Sequence, residues 1–209
     1  LSERVSLSAL GIGSAYGHEF FPIASRLSKI TILDPSEKFI NSEIGGVPVS
    51  YRKPHFSGII EAKDGEFDIF TCFGVLHHIP NVSFVISELA RVTAAGGYGF
   101  IREPVSSMGD WRRPRRGLTP HERGIPQQIA DESLRLAGFQ IVSKTPCFFL
   151  PAQRIISKII KTPYYNSNIL VALDAILSKS FEWNMSYSRD SLIKKISPVC
   201  YFWVVQKQA

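Results

Sequence analysis

Glycines, one well-spaced acid, a histidine pair and a run of arginines are the residues of this chain whose types and spacing could do chemistry. Gly11, Ile12, Gly13, Tyr16 and Gly17 form a turn that follows an apolar run at 4–10. Glycines there let backbone N–H groups approach a ligand without interference from a Cβ. A helix after such a turn points its positive end at the same spot. Asp34, followed by Pro35, closes a second apolar run at 30–33. It stands about 20 residues beyond Gly13, the distance at which an acid at a strand tip suits a pair of ribose hydroxyls. By itself the Gly-x-Gly is equally an ordinary strand-to-helix turn.

His77 and His78 follow the apolar run 67–73. A neutral imidazole with its ordinary pKa is well suited to removing a proton from a hydroxyl. The bland alternative is that the pair shapes its loop and hydrogen-bonds backbone. Glu103 ends a further apolar run and is a second candidate base or hydrogen-bond acceptor, unless it pairs with Arg102. Arg112, Arg113, Arg115 and Arg116, with Arg123 beyond, present guanidinium groups that grip phosphates and carboxylates in two-pronged fashion. They point to an acidic ligand or are a solvated loop. Trp111 beside them would allow stacking on nucleic acid, but the basic run is short and the net charge of +6 modest.

The elements that must position these residues alternate in type. Strands are expected at 4–10, 30–34, 47–51, 67–73 and 98–103, with Pro48 confining the third to an edge or a strand start. Helices are expected from Phe21 to about Leu27, from Pro35 to about Glu43, over 82–92 with Gly96-Gly97 as its cap, and over 126–137 with Pro126 at its first position. The stretch 52–65 is poorly patterned and reads as loop or a broken helix. Alternation of this kind implies a parallel sheet with helices on both faces, in which ligands bind at the carboxyl ends of the strands. That places the loops at 11–17, 34–37, 72–80 and 103–112 on one rim. A further strand at 139–149 and a last one at 199–205 are separated by a helical insertion over 151–196. The insertion reads as a lid or a dimerisation element, and its Tyr164, Tyr165, Phe181, Trp183 and Tyr187 as core or as an apolar wall. The division is thus a core at 1–150, the insertion at 151–196, and 197–209 returning to the core sheet.

The chain has 209 residues, 44% hydrophobic and 20% charged, which is enough for one sizeable core. Its apolar runs fall short of a bilayer span, and the opening residues, which enter a strand almost at once, do not read as a signal peptide. A start trimmed relative to the natural chain would account for that. Cys72, Cys147 and Cys200 lie far apart in apolar segments, an odd number that argues for buried thiols in a reducing, cytoplasmic setting. No His, Cys and Asp spacing in the sequence looks like a metal-binding set, so none is expected.

Three stretches carry a resemblance. Phe67-Asp68-Ile69-Phe70, Val75-Leu76-His77-His78-Ile79, and Glu88-Leu89-Ala90-Arg91-Val92 with Gly96-Gly97 resemble, in that order, the class I S-adenosylmethionine-dependent methyltransferases of the small-molecule type. The resemblance covers residues 4–105 in detail and 126–149 by layout. It implies a Rossmann-like, mostly parallel seven-stranded α/β sheet whose last strand is antiparallel. It further implies S-adenosylmethionine as cofactor, with Gly11, Gly13 and the backbone to Gly17 at the methionine part and Asp34 on the ribose. Phe73 and Gly74 would line the sulfonium side. Two departures stand out: Ala9 replaces an acid that usually organises the methionine amino group, and Ala15 replaces the third glycine. No adenine-side acid is evident, Asp64 preceding the fourth strand too closely.

The expected activity is methyl transfer to a small or glycan-like, acidic acceptor, at oxygen, with His77, His78 or Glu103 as catalytic groups and Arg112, Arg113, Arg115 and Arg116 holding the acceptor. A non-catalytic binding module and an RNA methyltransferase are the rival readings. No Asn/Asp-Pro-Pro-Tyr/Phe run follows the fourth strand, which argues against amino-group methylation of DNA bases.

Overall fold

The computed structural model describes residues 6–110, 112–115, 117–119, 122–159 and 164–209. Trp111, Arg116 and the side chain of Tyr164 therefore lie outside what is described. Eight strands form one sheet: β1 (Leu7–Ile12), β2 (Leu27–Leu33), β3 (Glu43–Ile44), β4 (Val47–Arg52), β5 (Phe67–Phe73), β6 (Thr93–Pro104), β7 (Phe139–Phe149) and β8 (Pro198–Lys207). Their order is β3-β4-β2-β1-β5-β6-β8-β7. The class is the expected Rossmann-like one. The eighth strand is the two-residue β3, which folds back antiparallel on β4 so that Glu43 faces Pro48. β1, β2, β4, β5 and β6 run parallel, whereas β8 is antiparallel to both β6 and β7. The chain leaves β1 in one direction for β2 and β4, then returns to β5 on its other side. The crevice at that reversal is where open α/β sheets bind ligands.

Each face of the sheet has its own core. Helices α1 (Val82–Val92) and α2 (Gln127–Leu136) bury Val85, Ile86, Leu89, Ala130 and Leu134 against Leu10, Phe70 and Trp203. Their apolar residues recur at three- and four-residue intervals, so each helix turns one stripe to the sheet. On the opposite face Ala9, Phe20, Ile30, Ile32 and Ile69 pack together. Trp203 is 1% exposed, and its indole N–H donates to Asp131 Oδ1 at 2.8 Å, so its burial leaves no donor unpaired.

Several local expectations are corrected. The segment after the glycine turn is not an α-helix from Phe21 but a 3₁₀ stretch, His18–Arg26, with Pro22 inside it. Proline removes an N–H donor and clashes with the preceding turn, so regular α-helix does not form there. The second expected helix shrinks to one 3₁₀ turn, Glu37–Phe39. Gly96 and Gly97 do not cap α1. That helix stops at Val92, and the glycines lie within β6, whose pairing with β5 shifts register between Phe67 and Ile69. Pro126 sits at the N-cap of α2, one place before the expected position.

Between β7 and β8 the chain forms α3 (Leu150–Ile159) and α4 (Asn168–Ser180). Ser167 caps α4, its hydroxyl accepting from the Leu170 N–H. The carboxylate of Asp174 is buried and accepts from the backbone N–H groups of Phe148 and Phe149, each at 2.8 Å. Phe148 has a left-handed backbone, φ 67°, so this carboxylate fixes α4 onto a sharp exit from β7.

Candidate cofactor and acceptor site

Adjacent strand ends build the site. Gly11 and Ile12 of β1 pair with Ile32 and Leu33 of β2 on one side and with Thr71 and Cys72 of β5 on the other. The Gly13 N–H donates to the Leu33 carbonyl at 2.7 Å, bending the chain over the tip of β2. Asp34 follows directly. Its Oδ2 accepts from the Ala15 N–H at 3.1 Å and its Oδ1 from the Ser36 N–H at 2.8 Å. A carboxylate has about four acceptor sites, so each oxygen keeps capacity for a ligand hydroxyl. The glycine turn and the acid are thus held together by hydrogen bonds.

A cavity of about 570 Å³ opens there, lined by Ile12, Gly13, Leu33, Asp34, Pro35 and, from across the cleft, His78. A Cβ on Gly13 would lie 2.5 Å from Val75 Cγ2, so glycine is what lets the two walls meet. The far wall comes from residues 54–60, the stretch that reads as featureless loop. Ile59 and Ile60 were not expected at the site; only their apolar character within an unpatterned loop could have signalled them.

Of the other expected cofactor residues, Gly11, Tyr16 and Gly17 belong to the turn beside the cavity, whereas Phe73 and Gly74 do not line it. Gly11 and Gly17 are buried in the turn, where a Cβ would meet Ser14 Oγ and Ile44 Cδ1 respectively. Tyr16 is exposed, stacked on His18 and edge-on to Phe39, which lines the cavity. The Tyr51 hydroxyl donates to the Ala15 carbonyl at 2.6 Å and ties the turn down from β4. Burial, then the charges of Asp34 and Glu19, hold that phenol above its usual pKa. Ala9 is buried among apolar side chains, but Thr71 on β5 donates to Glu19 Oε1 at 3.2 Å, so a carboxylate does reach this side of the turn. Asp64 is bound to Arg91 at 2.7 Å. Phe73 lines a separate cavity with Arg102 and Tyr165, and the Gly74 N–H donates to the Arg102 carbonyl.

Glu103 does not pair with Arg102. It is 1% exposed, and it accepts from the N–H groups of Val75 and Leu76 at 2.7 and 2.8 Å. Its Oε2 lies 2.7 Å from His77 Nδ1. The fifth parallel strand therefore anchors the whole 74–78 turn through one carboxylate. The Arg102 guanidinium lies over the rings of Phe73 and Tyr165 instead. His78 is half-exposed, and burial followed by the neighbouring His77 charge lowers its pKa. Glu122, 44 positions along the sequence from His78, is brought against both imidazoles. Arg112 and Arg113 are exposed and paired with Asp110, while Arg115 donates to the Thr119 carbonyl. None of these arginines lines the cavity at Asp34.

Residues 10–101 match the family described as methyltransferase domain. The match runs from within β1 to within β6 and takes in Asp34 and the 74–78 turn. Among relatives of this chain, a ubiquinone biosynthesis O-methyltransferase from Rhizobium etli is 27% identical over 161 residues, 69% of this chain. The chain spans 64% of that relative's length. Among solved structures, an S-adenosylmethionine-dependent methyltransferase from Mesorhizobium loti superposes with a TM-score of 0.63 at 13% identity, covering 99% of this chain and 94% of its own. The [4+2]-cyclase SpnF superposes with a TM-score of 0.61 at 17% identity, covering 98% and 76%. These structural likenesses show the fold.

S-adenosylmethionine, on which the Mesorhizobium loti protein depends by its name, is a ligand that the residues of this site fit. The cavity at Asp34 falls within the 300–1,000 Å³ range of small-molecule sites, roughly what a nucleoside needs. It joins an acid with spare acceptor capacity to apolar walls from Leu33, Ile59 and Ile60.

Proposed function

We propose that the protein transfers the methyl group of S-adenosylmethionine to an oxygen of a small acceptor. The observation that carries this reading is the cavity in which Gly13 and Asp34 meet under two hydrogen-bonded loops. When bound, the cofactor supplies a methyl group on a positively charged sulfur. Asp34 would accept from the two ribose hydroxyls, and Leu33 and Ile60 would flank the adenine. Val75 and His78 of the 74–78 turn line the same cavity and would border the cofactor there. Much of the rate of such a displacement comes from holding the acceptor in line. Glu103 acts as a positioning residue by fixing the His77 ring within the turn that borders the cavity.

Oxygen as the methylated atom is supported by the likeness to the Rhizobium etli relative, an O-methyltransferase by name. The test is incubation with methyl-labelled S-adenosylmethionine and catechol or 3,4-dihydroxybenzoate, reading label in the ether product. Labelled methyl ether above the protein-free blank is expected. Tight binding of the demethylated cofactor without transfer to any phenol would favour the second reading, a methyltransferase-like binding module. Ala9 and the exposed isoleucines of α3 and α4 (Ile155, Ile159, Ile169 and Ile176) are the observations on its side.

A further inference from the structure

Methyl transfer does not require the contact among His77, His78 and Glu122. His77 Nε2 lies 3.6 Å from Glu122 Oε1, and His78 Nδ1 lies 3.6 Å from Glu122 Oε2. Both separations are too long for hydrogen bonds. They are close to the edge between two ligands of one tetrahedral ion, about 3.3–3.4 Å when each donor stands about 2.0–2.1 Å from zinc. The candidate ligand atoms of all three residues fall within 4.8 Å of one another.

The surroundings of the cluster are as informative as its distances. Glu103 contacts His77 Nδ1 at 2.7 Å and is itself fixed by backbone N–H groups, so Nδ1 carries the proton and the Nε2 lone pair is aimed at Glu122. A carboxylate behind an imidazole is the arrangement that orients histidine ligands in metal sites. The Thr119 N–H donates to Glu122 Oε2 at 2.9 Å, whereas no hydrogen bond to Oε1 is present among the described residues. Two buried carboxylates, Glu103 and Glu122, thus flank one imidazole.

We propose that His77 Nε2, His78 Nδ1 and the Glu122 carboxylate bind a divalent transition-metal ion of the zinc class. Two imidazoles and one carboxylate suit such ions, whereas magnesium and calcium take oxygen ligands. Three protein ligands leave a fourth position open, as in catalytic zinc sites. His78 lines the cavity at Asp34 and His77 lines a neighbouring one of about 340 Å³ that reaches Tyr187, so the open position lies in the wall between them. A hydroxyl bound there would ionise more readily than in water. Ion binding itself does not depend on the methyl-transfer reading.

The test is a titration of the chelator-stripped, dialysed protein with Co²⁺, reading visible d–d absorption and metal content. One equivalent is expected to bind and to be displaced by Zn²⁺. Glu122→Gln and His78→Ala, with wild-type circular dichroism, are expected to bind about 100-fold more weakly or not at all. A wild-type protein with no absorption above the Co²⁺ blank, or variants with unchanged affinity, would overturn the proposal.

Discussion

Gly13 holds a left-handed backbone, φ 60°, at the point where the turn after β1 meets Val75. A side chain there is penalised twice. The left-handed conformation costs an L-residue about 1–2 kcal/mol, and a Cβ would press on Val75 Cγ2 at 2.5 Å. Gly13→Ala is therefore expected to lower stability by about 1–3 kcal/mol and to weaken binding of the demethylated cofactor at least about tenfold. Urea denaturation and calorimetry check the two effects separately. The cysteines make the opposite kind of prediction. Burial pushes the Cys147 thiol up to about 12, against the partial relief offered by Arg102. The thiolate is the reactive form, so at pH 8 it is scarcer than in the unfolded chain by about three orders of magnitude. Iodoacetamide at pH 8 should leave Cys147 unmodified in the native protein and label it in urea, as read by peptide mass. Asp34 was legible because its chemistry is local: an acid at the end of one apolar run, a fixed distance from a glycine. Glu122 was not, because only the folded chain brings it to the histidines.

At the scale of elements, the strands and α1 were readable from apolar periodicity alone. Phe67–Phe73, Val82–Val92 and Phe139–Phe149 lie where the pattern puts them. Two of the failures share a cause. Where Pro22 or the glycines at 96 and 97 interrupt an apolar pattern, tertiary contacts decide what forms. A 3₁₀ stretch resulted in the first case and an irregular strand in the second. The stretch at 52–65 shows no period because its task is to cover a cavity. Asp174 is the clearest case of an element fixed by one side chain. Replacing it by alanine leaves the Phe148 and Phe149 N–H groups without their acceptor, at about 1–3 kcal/mol for each buried group left unpaired. Asp174→Ala is expected to lower the unfolding free energy by several kcal/mol and to speed proteolysis within 150–180. Equal cleavage rates in mutant and wild type would show that α4 is held by other means.

Across the whole molecule, the parallel order that reverses at β1 brings four separate loops to one rim. The glycine turn, Asp34, the stretch at 54–60 and the His77–His78 turn meet there although up to 67 positions separate them. The cofactor is the ligand that this convergence most directly predicts. Calorimetric titration of S-adenosylhomocysteine into the wild-type protein and into Asp34→Ala tests it with least ambiguity. Hydrogen bonds to a charged group contribute about 1.5–3 kcal/mol each, so one-to-one binding by the wild type and a loss of about 10- to 100-fold or more in the variant are predicted. No heat of binding by the wild type, or equal affinity in both proteins, would contradict the account.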